Sequence, residues 1–185
     1  MANFEQTDNQ QKTLTSRAVT AGVYIAGIGI ALNLVTYVAG FNEALMTNTA
    51  LKWGNNLLLF GISFYFIYNA AKQHRDIDLG GVFSTGQGLG IGTITGLVSG
   101  IISAVWIVIF MGFIAPEMMD QIKEIAMQDM ERSGQSEEQI EQAMEYASFF
   151  FSPTFFAIVT VIFSTFVGFL AGLVSGLMLK KERSV

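Results

Sequence analysis

The 185-residue sequence has no cysteine, two prolines, a single histidine and few charges. Without cysteine there are no disulfides and no thiolate metal sites, which excludes a secreted disulfide scaffold. Charged residues make up 14% of the chain, against an average usage of about 25%. They are missing altogether from 18–41, 53–71, 79–116 and 146–179. A net charge of −5 without a basic stripe excludes a nucleic-acid binder. What is abundant is hydrophobic side chains, at 51%, and glycine, with 19 residues. Uncharged apolar runs of about 18 residues or more read as membrane spans, so the lipid bilayer is the first partner and a soluble enzyme is excluded.

The polar arm 1–17 precedes the first run. A cleaved signal has an apolar core of about 7–15 residues and then a small-residue cleavage site. The run 18–41 is longer, and Val38-Ala39-Gly40 is a poor match, so it reads as a retained span. The run 53–71 fits a second span. The third run would be about 57 Å long as one helix at 1.5 Å per residue, too long for one crossing. Its glycine-rich start, 79–91, is expected to be interfacial or broken, with the span over 92–114 and its end set by Pro116. The fourth span follows Phe149-Phe150-Phe151-Ser152-Pro153 and covers 155–179. Lys12, Arg17, Lys72, Arg75, Lys180, Lys181 and Arg183 then share one side of the membrane, and Lys52, Lys123 and Arg132 the other. The positive-inside rule puts both termini in the cytoplasm.

The segment 117–148 carries most of the acidic residues. Met118, Met119, Ile122, Ile125, Ala126 and Met130 recur at helical spacing; Ser133-Gly134 interrupts; Ser136-Glu137-Glu138-Gln139 fits a capping box before a second stripe of Ile140, Ala143, Met144 and Ala147. Two amphipathic helices are predicted outside the membrane. Their carboxylates would be repelled by anionic headgroups. The favoured use is to cover the ends of the spans; docking a partner is the alternative, and no calcium-loop spacing is present.

Glycines dominate the last two spans. Gly88, Gly92, Gly96 and Gly100 stand four apart, and Gly168, Gly172 and Gly176 repeat the spacing after Ser164. Small residues on one helix face let backbones approach closely, with van der Waals contact replacing the hydrophobic drive that lipid removes. The rows serve either packing of the third span on the fourth or homo-oligomerisation through one row.

No ionisable residue falls in the centre of a predicted span, which weighs against proton-coupled transport and charge sensing. The intramembrane polar candidates are neutral: Asn33, Asn55 and Asn56, with interhelical hydrogen bonding as their expected role. His74 lies in Lys72-Gln-His-Arg-Asp-Ile-Asp78, which reads as a solvated loop rather than a His74/Asp76/Asp78 metal site. No nucleophile–base pair, metal-ligand spacing or cofactor motif is found, so no catalytic residue and no cofactor is expected.

These features in this order resemble an uncharacterised family of small bacterial membrane proteins, domain of unknown function 4199. The resemblance rests on His74-Arg-Asp-Ile-Asp-Leu-Gly-Gly-Val-Phe-Ser-Thr-Gly-Gln-Gly88, on Phe113-Ile-Ala-Pro116, on Ser133-Gly-Gln-Ser-Glu-Glu-Gln-Ile140 and on the tail Lys180-Lys-Glu-Arg183. It covers the chain from about Arg17. It implies a bacterial inner membrane with the acidic segment in the periplasm, and it carries over no known activity or catalytic residue.

The expected fold is all-α: a single membrane domain, an integral four-helix bundle with two short amphipathic helices between spans 3 and 4. The expected function is that of a non-enzymatic accessory or structural component acting by helix packing or partner docking, with a homo-oligomer or another membrane protein as its partner. The alternative is an oligomeric channel or transporter for an uncharged or weakly polar small solute.

Overall fold

A computed structural model describes residues 2–181, with side chains from Asp8 onward. Arg183, counted above among the cations of the C-terminal tail, lies outside the described residues. The described chain is predominantly helical, with seven α-helices: α1 (Ala2–Val38), α2 (Asn42–Thr47), α3 (Thr49–Gln73), α4 (Thr85–Ile109), α5 (Glu117–Arg132), α6 (Glu137–Tyr146) and α7 (Pro153–Leu179). Extended pairing among these residues is confined to one antiparallel bridge between Phe83 and Lys181. The chain divides into two compact units, Met1–Ile102 with Val161–Val185, and Ser103–Thr160.

Among the described residues three helices are long and apolar enough to cross a membrane: Asp8–Val38, Thr85–Ile114 and Pro153–Leu179. The fourth expected span lies in α3, which has the length. Its three asparagines, Asn55, Asn56 and Asn69, and its tyrosines Tyr65 and Tyr68 dilute the apolar character that the other three helices have.

The helix ends follow local chemistry. α1 begins at Ala2, so the polar arm and the first apolar run form one helix. It stops where Gly40 takes φ 72°, with Gly40 N–H on the Tyr37 carbonyl at 3.0 Å and Phe41 N–H on the Thr36 carbonyl at 2.9 Å. That pair of reversed bonds is a Schellman cap, which needs a left-handed residue and so favours glycine. α3 starts on Asn48, whose side chain accepts from Ala50 and Leu51. α4 starts at Thr85 rather than near Gly92. Ser84 and Gln87 cap it reciprocally: Ser84 N–H donates to Gln87 Oε1 at 2.9 Å, and Gln87 N–H to Ser84 Oγ at 3.3 Å. The break in 79–91 is thus confined to its first residues, where Gly80 and Gly81 both have positive φ.

Two helices end in a wide turn. α3 runs into a π turn at His74–Asp78, closed by Leu79 N–H on the His74 carbonyl at 3.1 Å. α4 runs into a second at Phe110–Ile114, closed by Ala115 N–H on the Phe110 carbonyl at 2.8 Å. Pro116 follows at once; lacking an N–H, it cannot continue the ladder.

In the unit Ser103–Thr160, α5 packs on α6, on the π turn Phe110–Ile114 and on a 3₁₀ turn at Ser148–Phe151. Met118, Met119 and Ile140 are buried, and the carboxylates of α6 stay on its exposed side. Gly134, at φ 81°, ends α5 with a second Schellman pair: its N–H bonds the Glu131 carbonyl at 2.9 Å, and Gln135 N–H bonds that of Met130 at 3.2 Å. Ser136 and Gln139 form the capping box of α6. Ser152 caps α7 through Phe155 N–H at 3.2 Å, with Pro153 in the first helical position, where its missing donor costs nothing.

Replacing Ser136 by alanine removes the acceptor that holds the first turn of α6. This weakens the helix by about 0.5–2 kcal/mol. Amide hydrogen exchange should show faster exchange across Glu137–Tyr146 and unchanged exchange in α4 and α7.

Candidate functional site

Two constructions dominate the unit built from residues 1–102 and 161–185. The first is a seam between α4 and α7. A side chain on Gly88 would meet Gly176 Cα at 2.5 Å, and one on Gly92 would meet Gly172 Cα at 2.5 Å and the Gly168 carbonyl closer still. Gly96 stands against Ser164, Thr165 and Gly168, and Gly100 against Val161 and Ser164. From the other side Gly168 abuts Gly92 and Gly96, Gly172 abuts Gly88 and Gly92, and Gly176 abuts Thr85. Four residues forward on α4 match four residues back on α7, so the two rows run antiparallel and are used on each other. From Gly88 to Gly96 backbone touches backbone, and only at Gly100 does a side chain, that of Ser164, stand between the helices.

A third small-residue row escaped the sequence reading. Ala18, Gly22 and Ala26 have the same spacing on α1, and all are buried. A side chain on Gly22 would meet the Thr95 carbonyl and Val98 at 2.9 Å. Thr95, fully buried on α4, donates its hydroxyl to the Ala18 carbonyl at 3.0 Å. Thus α1 packs on α4 by the same device, with one hydrogen bond added.

The second construction is a charge node where α1, the end of α3 and the bridge Phe83–Lys181 meet. Arg17 donates from Nε to Asp78 Oδ2 at 2.9 Å, from Nη2 to Asp78 Oδ1 at 3.1 Å and from Nη1 to Gln73 Oε1 at 2.6 Å. The planar fork of a guanidinium matches a carboxylate in this bidentate fashion. Asp78 Oδ2 also lies 3.1 Å from His74 Nδ1. A carboxylate only accepts, so Nδ1 carries the proton in this contact. His74 is fully buried, and its Nε2 has no hydrogen-bond partner among the described residues. The ring edge of His74 meets Phe83 with centroids 6.4 Å apart. Phe83 is itself held by two 3.0 Å backbone bonds with Lys181 and sits in a core of Ala18, Ala70, Ala71, Ile91 and Leu179.

This corrects the reading of 72–78 as a solvated loop. Winding the chain into a π turn sets His74 and Asp78 on one side, and Arg17 neutralises the carboxylate that burial would otherwise expel. The i, i+4 spacing of His74 and Asp78 was the available signal. Asp76 turns away and pairs with Arg75 at 2.6 Å. No group of three metal-ligating side chains exists among the described residues, so His74, Asp76 and Asp78 do not converge. The Arg17 hydrogen bonds are the chief reason that the Asp78 carboxyl is held below its ordinary value; partial burial opposes them and the His74 contact assists. Arg75 likewise lowers Asp76.

The asparagines lie away from this node. Asn33 and Asn55 are half-buried, and Asn56 is exposed near the start of α3. Asn69, half-buried, lies one turn before Gln73 and faces a cavity beside the node.

Among the described residues, all-helical structure with three apolar helices long enough to cross a bilayer points to a membrane protein. The particular family follows from a sequence match over residues 20–181: the chain belongs to the family described as "Protein of unknown function (DUF4199)". No curated protein and no solved structure matches it.

A methyl group at Gly92 has no room beside Gly168 and Gly172. Gly92→Ala should therefore force the seam apart and lower stability by about 1–3 kcal/mol. Gly27, whose surroundings are open, should accept alanine without loss. Thermal unfolding of both variants in detergent reads the difference.

The node gives a pH dependence of defined sign. The folded value of Asp78 lies below its unfolded value, so its contribution is present above about pH 4 and is lost as pH falls through the folded value. Asp78→Asn should cost about 1.5–3 kcal/mol at neutral pH, the range for hydrogen bonds to charged groups. The gap to the wild type should close in an acid titration of the unfolding temperature.

Proposed function

We propose that this protein is a four-span component of a bacterial inner membrane with an accessory or structural, non-enzymatic role. It acts by helix packing or by partner docking. The observation that carries this reading is the seam. Gly88, Gly92, Gly96 and Gly100 are used against Gly168, Gly172, Gly176 and their neighbours inside one chain. A backbone-to-backbone contact encloses no passage, and its glycines are not free to bind a second copy.

The four-helix bundle counts α3 as the remaining span. Its support is the antiparallel pairing of α1 and α3, fixed at one end by Arg17 with Gln73 and further along by Tyr24 stacked on Phe66 at 5.7 Å. The start of α1's apolar run, the end of α3, the start of α4 and the end of α7 then lie together, since Arg17 reaches Asp78 and Phe83 pairs with Lys181. Arg17, Lys72, Arg75, Lys180 and Lys181 belong to that end, which supports a cytoplasmic location for it and for both termini. With that topology the acidic segment 117–148 belongs to the periplasmic side.

Two measurements test this. A cysteine placed at Ser136 in the cysteine-free chain should react with an impermeant thiol reagent applied to spheroplasts with an intact inner membrane; reaction only after lysis reverses the orientation. Purified protein in liposomes should pass neither ions nor small neutral solutes. Flux above that of empty vesicles, together with a ring-sized oligomer in native mass spectrometry, would establish the channel instead.

A further inference from the structure

The flank where α1 meets α3 carries a cavity of about 560 Å³. Its lining is graded along the helix axes. At one end stand Thr13, Ser16, Arg17, Gln73 and Asp78, and at the other Tyr24, Tyr65 and Phe66. Ala21 and Ala70, both buried, form the floor between; larger side chains there would fill the space. Tyr65 and Phe66 also line a second hollow of about 390 Å³, which continues along the same flank between Ile28, Leu57, Leu58 and Gly61. A polar chamber thus adjoins an apolar groove, and Tyr65 and Phe66 line both. From Arg17 to Ile28 the path is about 16 Å at the rise of an α-helix, comparable with an acyl chain.

The polar chamber holds both signs of charge with capacity to spare. A guanidinium has five N–H donors, and the three bonds described leave two on Arg17. A carboxylate offers about four acceptor sites, and Arg17 and His74 use three on Asp78. The remaining donors suit a phosphate, and the remaining acceptor suits a primary ammonium. A group bearing both charges completes the node without adding net charge to it. Tyr24 and Tyr65, each more than half exposed, stand where amphipathic rings favour the boundary between headgroup and acyl chain.

We infer that the α1–α3 flank binds one phosphoethanolamine-bearing glycerophospholipid, with its headgroup beside Arg17 and Asp78 and one acyl chain in the groove beside Gly61. The inference rests on the membrane location and stands whether or not the acidic segment docks a partner. Bound there, the lipid would cover the exposed faces of Leu57 and Leu58 and tie α1 to α3 beyond their own contacts.

The test uses the full chain, delipidated in detergent, and native mass spectrometry with dioleoyl-phosphatidylethanolamine as the probe. One lipid should bind per chain, about tenfold or more tighter than dioleoylglycerol, which has the tails without the head, and than dioleoyl-phosphatidylglycerol, which lacks the ammonium. Soluble phosphoethanolamine, the head without the tails, should not compete at the same concentration. Gly61→Leu fills the groove at a site with open space, and Thr20→Trp fills the chamber from an exposed position without touching the ion pair. Each should weaken binding about tenfold or more while the lipid-free unfolding temperature does not fall below the wild-type value. Arg17→Gln should also weaken binding, but it loosens the fold, so the other two variants decide. Equal binding of dioleoylglycerol overturns headgroup recognition. Wild-type binding by both filling variants overturns the location. Competition by soluble phosphoethanolamine overturns the lipid as the ligand and assigns the chamber to the free zwitterion.

Discussion

Close contact between the backbones of α4 and α7 is the constraint on which the rest of this unit depends. In lipid, apolar side chains gain nothing by leaving the solvent, so helices hold together by the density of their contact. Glycine at four-residue intervals gives that density by removing every atom that would keep the main chains apart. The register that results is unforgiving, because carbonyl and Cα of one helix lie where a side chain of the other would be. It also fixes where α7 ends. Leu179 enters the core beside Ala18 and Ala71, and Lys181 reaches Phe83 for two backbone bonds. Phe83 then closes over His74.

The charge node is thus downstream of the seam, and the two differ in kind. The seam contains no polar side-chain pairing and tolerates no added volume. The node is a partly buried pair whose removal leaves one charge without its partner. His74 adds a donor to Asp78 and keeps a second ring nitrogen inside the core. Asp78 therefore serves α1 through Arg17 and the end of α3 through His74.

How much of this was legible depended on the range of the interaction. The capping box Ser136–Gln139 lies within four residues and could be read directly; so could the helix stop at Gly134 and the start at Pro153. The spacing of the glycine rows is visible in the sequence, but which row faces which is not, since that needs residues some eighty positions apart. The row Ala18, Gly22, Ala26 carries a single glycine, and alanine is at home on any face of a helix, so its spacing alone does not mark a packing face. The glycines of 79–91 were read as breakers, and their cost in a helix is real. From Thr85 onward it is offset by the contact with α7. His74 was misread for the same reason: its burial depends on Arg17 upstream and on Phe83 and Lys181 downstream, and no local pattern announces them.

The order of synthesis gives the seam a history. α4 is complete at Ile109, whereas α7 begins at Pro153 and its matching glycines come later still. At 5–20 residues per second the gap is roughly 2–10 s. During that interval the glycine face of α4 lacks α7. Its amide groups are already bonded within the helix, as the bilayer requires, so the helix can wait. The glycine face is thus a newborn chain's vacancy before it becomes a joint, and the α5–α6 segment is the length of chain that sets how long it stays open.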